Sequence, residues 1–202
     1  MEIEKKLREE IESLVKDYFE KVHYEQNFVP HISKVPVTGK VLFKEDLVNL
    51  VNSSLDMWLT AGEYTKSFEK SISKFLGNRH TLFVNSGSSA NLLAISAVKK
   101  HFDCKDGDEV ITSAVNFPTT LNPIIQNNLK PVLVDAELDS YNIDANLIEK
   151  NITEQTKGIV LAHTIGNQFT LEKIMKLKKR FNLSYHKEIW ENTRKQDDGK
   201  CI

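Results

Sequence analysis

The chain alternates between segments with helical spacing and segments with strand-like spacing of apolar residues. Apolar side chains recur every three or four positions over residues 3–22, which predicts a long amphipathic helix. Further along, short apolar runs between polar or glycine residues predict strands, and each is followed by a helical pattern. The predicted elements are helices 3–22, 44–57 and 64–76, then strand 81–84, helix 88–101, strand 109–112, helix 118–127, strand 131–134, helix 144–150, strand 158–162 and helix 170–181.

This order of elements predicts an α/β fold. Strands that alternate with helices form a mostly parallel sheet, and the helices cover both of its faces. The segment 28–40, rich in proline and glycine, reads as an extended connector. We therefore predict an N-terminal helical arm with its connector at 1–43, a large α/β domain at 44–183, and a polar tail at 184–202 that lacks strand periodicity.

Composition and charge narrow the class of protein. Hydrophobic residues make up 40% of the chain and charged residues 27%, which is ordinary for a globular protein. The net charge of −1 gives none of the basic character of nucleic-acid-binding proteins, and the apolar runs are too short to span a membrane. The polar N-terminus lacks a signal-peptide core, so we expect a cytoplasmic protein. Two cysteines are too few for a disulfide framework or a four-thiolate cluster, and we expect no metal site.

Residues 84–91 join a predicted strand to a predicted helix with the sequence Val-Asn-Ser-Gly-Ser-Ser-Ala-Asn. A helix N-terminus presents unpaired backbone N–H groups and a partial positive charge, which together suit a phosphate. Gly87 allows the backbone to approach an anion closely, and Ser88 and Ser89 add hydroxyl donors. The alternative for this segment is a plain serine cap on the helix.

Ligands of open α/β sheets bind beyond the carboxyl ends of the strands, which directs attention to the loops there. Phe117 follows strand 109–112 and can either stack on a flat ligand ring or pack beneath the next helix. His163 follows strand 158–162 and can either hydrogen-bond a ligand or pair with the backbone of its loop.

A series of short sequence blocks occurs in a fixed order along the chain. They are Trp58–Gly62, Phe68–Lys70, Phe75–Gly77, Asn85–Leu92, Asp106–Ile111, Phe117–Ile124, Tyr141–Asp144 and Ala162–Asn167. Together they resemble the DegT-like sugar aminotransferases, which are fold type I pyridoxal-phosphate enzymes. The sequences of Pro36–Val41 and Asn116–Thr120 most resemble the 3-dehydrase branch of that family. The similarity extends from about residue 5 to residue 183.

The resemblance implies a binding site for pyridoxamine 5'-phosphate or pyridoxal 5'-phosphate. The resemblance implies that the cofactor phosphate would be held by Gly87, Ser88 and Ser89. It also implies that Phe117 would stack against the pyridine ring. His163 and Asn167 would lie near the site without an assigned role. The fold implied is the fold type I large domain, truncated and preceded by a helical arm.

The resemblance also implies an activity for the complete enzyme. It would remove the C3 oxygen of CDP-4-keto-6-deoxyglucose during dideoxysugar synthesis for lipopolysaccharide O-antigen. Such an enzyme is a homodimer with an iron–sulfur cluster, and an iron–sulfur flavin reductase supplies its electrons. The alternatives are a nucleotide-sugar aminotransferase of the same family and a non-catalytic fragment.

The sequence departs from the family pattern after residue 183. The acidic partner of the pyridine nitrogen, the lysine or histidine base and the cluster cysteines would all lie further on, so we assign no catalytic residue to this chain. His186 and Lys187 receive no role, because their neighbours do not match the family. A shifted reading frame or a premature stop would explain the tail. Strand 158–162 would then become a sheet edge, and we expect the chain alone to be inactive.

Overall fold

The computed structural model describes residues 2–23, 28–35, 41–163 and 165–188, with no side-chain description for 185–188. The chain divides into two compact units, residues 1–68 and 69–202. The helices are α1 (Glu2–Val22), α2 (Lys44–Leu55), α3 (Glu63–Leu76), α4 (Gly87–His101), α5 (Pro118–Gln126), α6 (Ala145–Ile148) and α7 (Leu171–Phe181). The strands are β1 (Glu109–Ser113), β2 (Lys130–Val134), β3 (Thr156–Ala162) and β4 (Ser184–Glu188).

In the first unit, polar side chains join α1 to α2. The Arg8 guanidinium contacts Asp56 Oδ1 at 2.9 Å. The Asn52 side-chain amide donates to Glu12 Oε1 at 2.8 Å, and Lys44 Nζ donates to Glu20 Oε1 at 2.7 Å. None of the described α1 side chains is buried.

The second unit contains a four-stranded parallel sheet in the order β2-β1-β3-β4. β1 pairs with β2 from Glu109 with Lys130 to Ser113 with Val134. β3 pairs with β4 from Gly158 with Ser184 to Ala162 with Glu188. Every pairing between these strands is parallel, which confirms the predicted sheet type. All four carboxyl ends therefore lie along one edge of the sheet.

Helices cover both faces of this sheet, as the sequence predicted. Neighbouring strand residues point to opposite faces, so Ile111 and Val110 belong to different cores. One core packs α6 and α7 against the sheet and includes Ile111, Ile148, Ile159, Leu161, Ile174 and Leu177. The other packs α4 and α5 and consists of Ile95, Val110, Ile124, Leu129 and Val160.

The prediction of a strand at 81–84 is wrong for the described structure. These residues form neither a helix nor a strand of the described sheet. Side chains of α3 hold them instead: Glu69 Oε1 accepts from the Phe83 backbone N–H at 2.9 Å, and Ser73 Oγ donates to Thr81 Oγ1 at 2.8 Å. The apolar spacing was strand-like, but a strand needs a neighbouring backbone to pair with.

The helix predicted at 144–150 is also shorter than expected. α6 covers only Ala145–Ile148 and continues as a single 3-10 turn, Glu149–Asn151. Such a tightening is common at helix ends, where the last carbonyl groups lack α-helical partners.

The sheet extends further along the chain than predicted. β4 occupies Ser184–Glu188, the first residues of the segment predicted as a tail, and the rest of that segment lies outside the described residues. The expectation that β3 forms a sheet edge is wrong, because β4 pairs along it. A parallel strand needs only backbone groups in register with its neighbour, so the polar sequence of β4 did not signal it.

Candidate functional site

The N-terminus of α4 forms a polar turn at the sequence predicted to bind phosphate. Ser86 is the N-cap, and its Oγ accepts from the Ser89 backbone N–H at 3.2 Å and donates to Ser89 Oγ at 3.1 Å. The plain serine cap considered from the sequence is therefore present, but Ser86 supplies it. Ser88 is not needed for the cap and is exposed. We call residues Gly87 to Ser89 the α4 turn.

Space lies open around the α4 turn. A Cβ added to Gly87 would meet no atom within 4 Å. The first backbone N–H groups of any helix lack partners within the helix, and the positive end of its dipole lies there. A phosphate group therefore fits this turn sterically and electrostatically.

The direction of α5 places Phe117 at the same end of the sheet as the α4 turn. Asn91 Nδ2 of α4 donates to the Thr119 carbonyl near the start of α5, and Ser96 Oγ donates to Asn127 Oδ1 near its end. The two helices therefore run in the same direction. Because α5 begins directly after the carboxyl end of β1, both helix N-termini lie at that edge of the sheet.

Phe117 is the N-cap of α5, and its side chain is 50% exposed. Asn116 fixes its loop to the end of β1, because the Asn116 side-chain amide donates to Thr112 Oγ1 and to the Ser113 carbonyl. An exposed aromatic ring on a fixed loop can stack on a flat ligand. The packing role considered from the sequence accounts for only part of this ring's surface.

His163 and Asn167 lie at the carboxyl end of β3, in a second cluster. His163 is 5% exposed, and its ring stacks on Phe169 with centroids 4.2 Å apart. Asn167 Nδ2 donates to the Ser140 carbonyl at 2.7 Å, which joins this loop to the one that follows β2. Phe169 belongs to the core on the α6 and α7 face, so these residues pack on the face opposite to α4 and α5.

Three residues that support the site went unnoticed in the sequence. Glu69 and Ser73 of α3 hold the segment that leads into α4, and Asn91 joins α4 to α5. A polar residue in a helical pattern carries no signal of its distant partner. Asn91 occupies a position among the apolar residues of α4, and this spacing was the one indication in the sequence that its side chain is buried.

The described residues contain neither a membrane-spanning helix nor a metal-binding cluster. No described helix is long and apolar enough to cross a bilayer. The described residues also lack any group of three or more His, Cys, Asp or Glu side chains placed to hold a metal ion.

A parallel α/β sheet with a polar helix N-terminus and an exposed aromatic ring at its carboxyl edge is typical of α/β domains that bind a ligand beyond the ends of their strands. Residues 42–188 match the DegT/DnrJ/EryC1/StrS aminotransferase family, and the chain belongs to this family.

Known proteins resemble this chain over most of its length. It is 46% identical over 181 residues to the lipopolysaccharide biosynthesis protein RfbH of Salmonella typhimurium, a match that covers 88% of this chain and 41% of RfbH. It is 42% identical over 183 residues to dTDP-4-dehydro-2,6-dideoxy-D-glucose 3-dehydratase of Saccharopolyspora spinosa, covering 87% of this chain and 39% of that enzyme.

Among solved structures, the fold resembles the E. coli GDP-4-keto-6-deoxy-D-mannose-3-dehydratase with bound hydrated PLP. The TM-score is 0.75 at 30% identity, and the match covers 85% of this chain and 45% of that chain. The chain thus spans less than half the length of the relatives it matches.

Proposed function

We propose that this chain is the cofactor-binding part of a nucleotide-sugar 3-dehydrase of lipopolysaccharide dideoxysugar synthesis. The observation that carries the proposal is the α4 turn, with Ser86 as its cap and open space at Gly87, at the same end of the sheet as the exposed Phe117. The Salmonella and Saccharopolyspora relatives favour this class, because one is a lipopolysaccharide biosynthesis protein and the other a sugar 3-dehydratase.

The residues at this edge fit pyridoxamine or pyridoxal phosphate. The backbone N–H groups of Gly87 and Ser88 and the hydroxyls of Ser88 and Ser89 would hold the phosphate, since charge-assisted hydrogen bonds are the strong ones. Phe117 would lie against the pyridine ring and fix its plane. When bound, this cofactor supplies an electron sink for chemistry next to the sugar carbonyl.

The substrate and partners of the complete enzyme are part of the proposal. We propose a nucleotide-linked keto-sugar such as CDP-4-keto-6-deoxyglucose as substrate and a cytoplasmic location. We further propose a homodimer with the N-terminal arm near the partner, an iron–sulfur cluster held outside this chain, and a flavin reductase as electron donor. The domain boundaries at 43 and 183 and the nearness of His163 and Asn167 to the ligand stay predictions.

An aminotransferase is the second candidate. It is favoured by the family that residues 42–188 match, which is described as an aminotransferase family. Such an enzyme would use a lysine and pass an amino group to the sugar. Sequencing the DNA downstream of codon 183 separates the candidates, because a histidine at the position of the base indicates the dehydrase and a lysine indicates the aminotransferase.

The cofactor proposal is tested by titrating the purified chain with pyridoxamine 5'-phosphate and following protein fluorescence. We expect saturable binding, competition by inorganic phosphate, and much weaker binding of pyridoxamine, which lacks the phosphate. Equal affinity for pyridoxamine and its phosphate ester, or absence of binding to both, would contradict the proposal.

A further inference from the structure

α5 contains an internal proline, and this proline removes one of its hydrogen bonds. Pro123 lies within Pro118–Gln126 and is buried. In an α-helix the Thr119 carbonyl would accept from the N–H of residue 123, but proline has no N–H. The proline ring also crowds the carbonyl four residues earlier and tilts it away from the helix. The Thr119 carbonyl therefore needs a donor from elsewhere.

Asn91 supplies that donor from the neighbouring helix. Its Nδ2 lies 3.2 Å from the Thr119 carbonyl oxygen, and its side chain is only 5% exposed. The contact is part-buried, and a carbonyl shielded from water and without a donor is costly. The contact forms only when α4 and α5 lie at one position along each other. The amide of Asn91 thus replaces the N–H donor that Pro123 lacks, and we call these two residues the Asn91–Pro123 pair.

This pair lies between the two parts of the proposed cofactor site. Asn91 is two residues from Ser89 in the α4 turn, and Thr119 is two residues from Phe117. The distance between the phosphate and the ring of the cofactor is fixed by covalent bonds. A protein that contacts both ends must therefore hold the α4 turn and Phe117 at one separation.

We propose that Asn91 is a positioning residue that sets the separation between the α4 turn and Phe117 through the Thr119 carbonyl freed by Pro123. This inference rests on the proposed cofactor function. In this proposal Asn91 acts through the two helices, by its hydrogen bond to the Thr119 carbonyl. Loss of its amide lets α5 shift, which weakens simultaneous contact with phosphate and ring but leaves phosphate contact alone intact.

The test is a double-mutant cycle between Asn91 and Pro123 in the 202-residue chain. Asn91→Leu keeps the approximate volume and removes the donor, and we expect pyridoxamine 5'-phosphate to bind about tenfold more weakly. The competition constant of inorganic phosphate should stay unchanged. In Pro123→Ala the N–H of residue 123 again satisfies Thr119, so the double variant should bind the cofactor within about twofold of Pro123→Ala alone.

A matched control comes from the same pair of helices. Ser96→Ala removes the hydrogen bond from α4 to Asn127 at the far end of α5. We expect it to lower the thermal unfolding midpoint without changing the ratio of cofactor to phosphate affinity. A merely structural role for Asn91 would make Asn91→Leu behave like Ser96→Ala.

The outcomes separate this inference from the proposed function. If the unmodified chain binds no pyridoxamine 5'-phosphate, the proposed function fails, and thermal unfolding of the same four proteins then tests the Asn91–Pro123 pair. If Asn91→Leu destabilises the unmodified chain and the Pro123→Ala variant equally, Asn91 and Pro123 are not energetically coupled, and the proposed pairing is wrong. If the chain binds the cofactor, any of three results overturns the positioning role. They are an unchanged cofactor affinity in Asn91→Leu, a parallel loss of phosphate affinity in that variant, and failure of Pro123→Ala to restore binding.

Discussion

Individual residues at the start of α4 have separate tasks. Ser86 caps the helix, and its hydroxyl is engaged with Ser89. Ser88 is exposed at the same turn. Gly87 leaves open the volume that a side chain would take. The single proton of the Ser86 hydroxyl is directed at Ser89 Oγ, so under the proposed function the separate hydroxyl of Ser88 would donate to the anion.

Replacement of Ser88 should therefore affect binding and leave folding unchanged. A lost charge-assisted hydrogen bond costs about 1.5–3 kcal/mol, so Ser88→Ala should weaken pyridoxamine 5'-phosphate binding roughly tenfold or more. Fluorescence titration measures the affinity, and thermal unfolding should be unchanged. Ser71→Ala, at an exposed serine of α3, is the control and should alter neither quantity. Unchanged affinity in Ser88→Ala would remove this serine from the site.

At the scale of elements, β3 and β4 approach unusually closely at one pair. A Cβ added to Gly158 would lie 2.4 Å from Ser184 Oγ, a hydroxyl that donates to the Lys157 carbonyl at 2.9 Å. A side chain at position 158 would therefore push the Ser184 hydroxyl away from the Lys157 carbonyl. Gly158 and Ser184 are partners at the first pair of the β3–β4 ladder.

Gly158→Ala should destabilise the sheet by forcing the Ser184 hydroxyl from its place. Overpacking of this kind costs about 1–3 kcal/mol, measured as a shift in chemical denaturation. The double variant Gly158→Ala, Ser184→Ala removes the crowded oxygen and should recover part of that loss. If the second substitution recovers nothing, the destabilisation does not come from this contact.

A buried carboxylate joins the amino ends of three strands. Glu109 begins β1 and accepts from Thr153 Oγ1 at 2.6 Å, from Lys130 Nζ at 2.9 Å and from Thr156 Oγ1 at 3.4 Å. These contacts, led by the Thr153 hydrogen bond, lower the pKa of Glu109 despite the opposing effect of burial. The charged form is thus favoured in the folded state.

This lowered pKa makes stability depend on pH in a defined direction. A carboxyl group with a depressed folded pKa stabilises the protein above its unfolded pKa, about 4.3, and that contribution is lost as pH falls through the folded pKa. Glu109→Gln should reduce the free energy of unfolding by about 1 kcal/mol at neutral pH, and the difference should shrink below pH 4. Urea denaturation across pH measures this. A difference that is constant with pH would show that the charge of Glu109 is not involved.

For the whole molecule, we predict binding without turnover. The chain offers the α4 turn and Phe117 for positioning a cofactor, while the resemblance assigns none of its residues as the base that moves the proton. A positioned base is typically worth 10²–10⁴-fold in rate. The purified chain with pyridoxamine phosphate, CDP-4-keto-6-deoxyglucose and a reductase should therefore form no product above background. Turnover that disappears in Phe117→Ala would contradict this prediction.

The sequence by itself determined the sheet type, most helices and the two parts of the proposed site. Apolar periodicity is a local property, so it predicted α1 to α5 and α7 closely. The segment Ser86 to Ser89 contained the serine that caps α4 and the pattern from which a phosphate site is predicted. The order of several short sequence motifs indicated the family, and the family match over residues 42–188 confirms it.

Only the tertiary structure decided which segments are strands and which distant residues support the site. Residues 81–84 and 184–188 show this in opposite senses: the apolar segment joins no strand of the described sheet, and the polar one does. Strand formation depends on a neighbouring backbone in register, and no local pattern contains that information. The contact of Asn91 with the carbonyl freed by Pro123 is likewise invisible along the chain, because it exists only when α4 and α5 lie side by side.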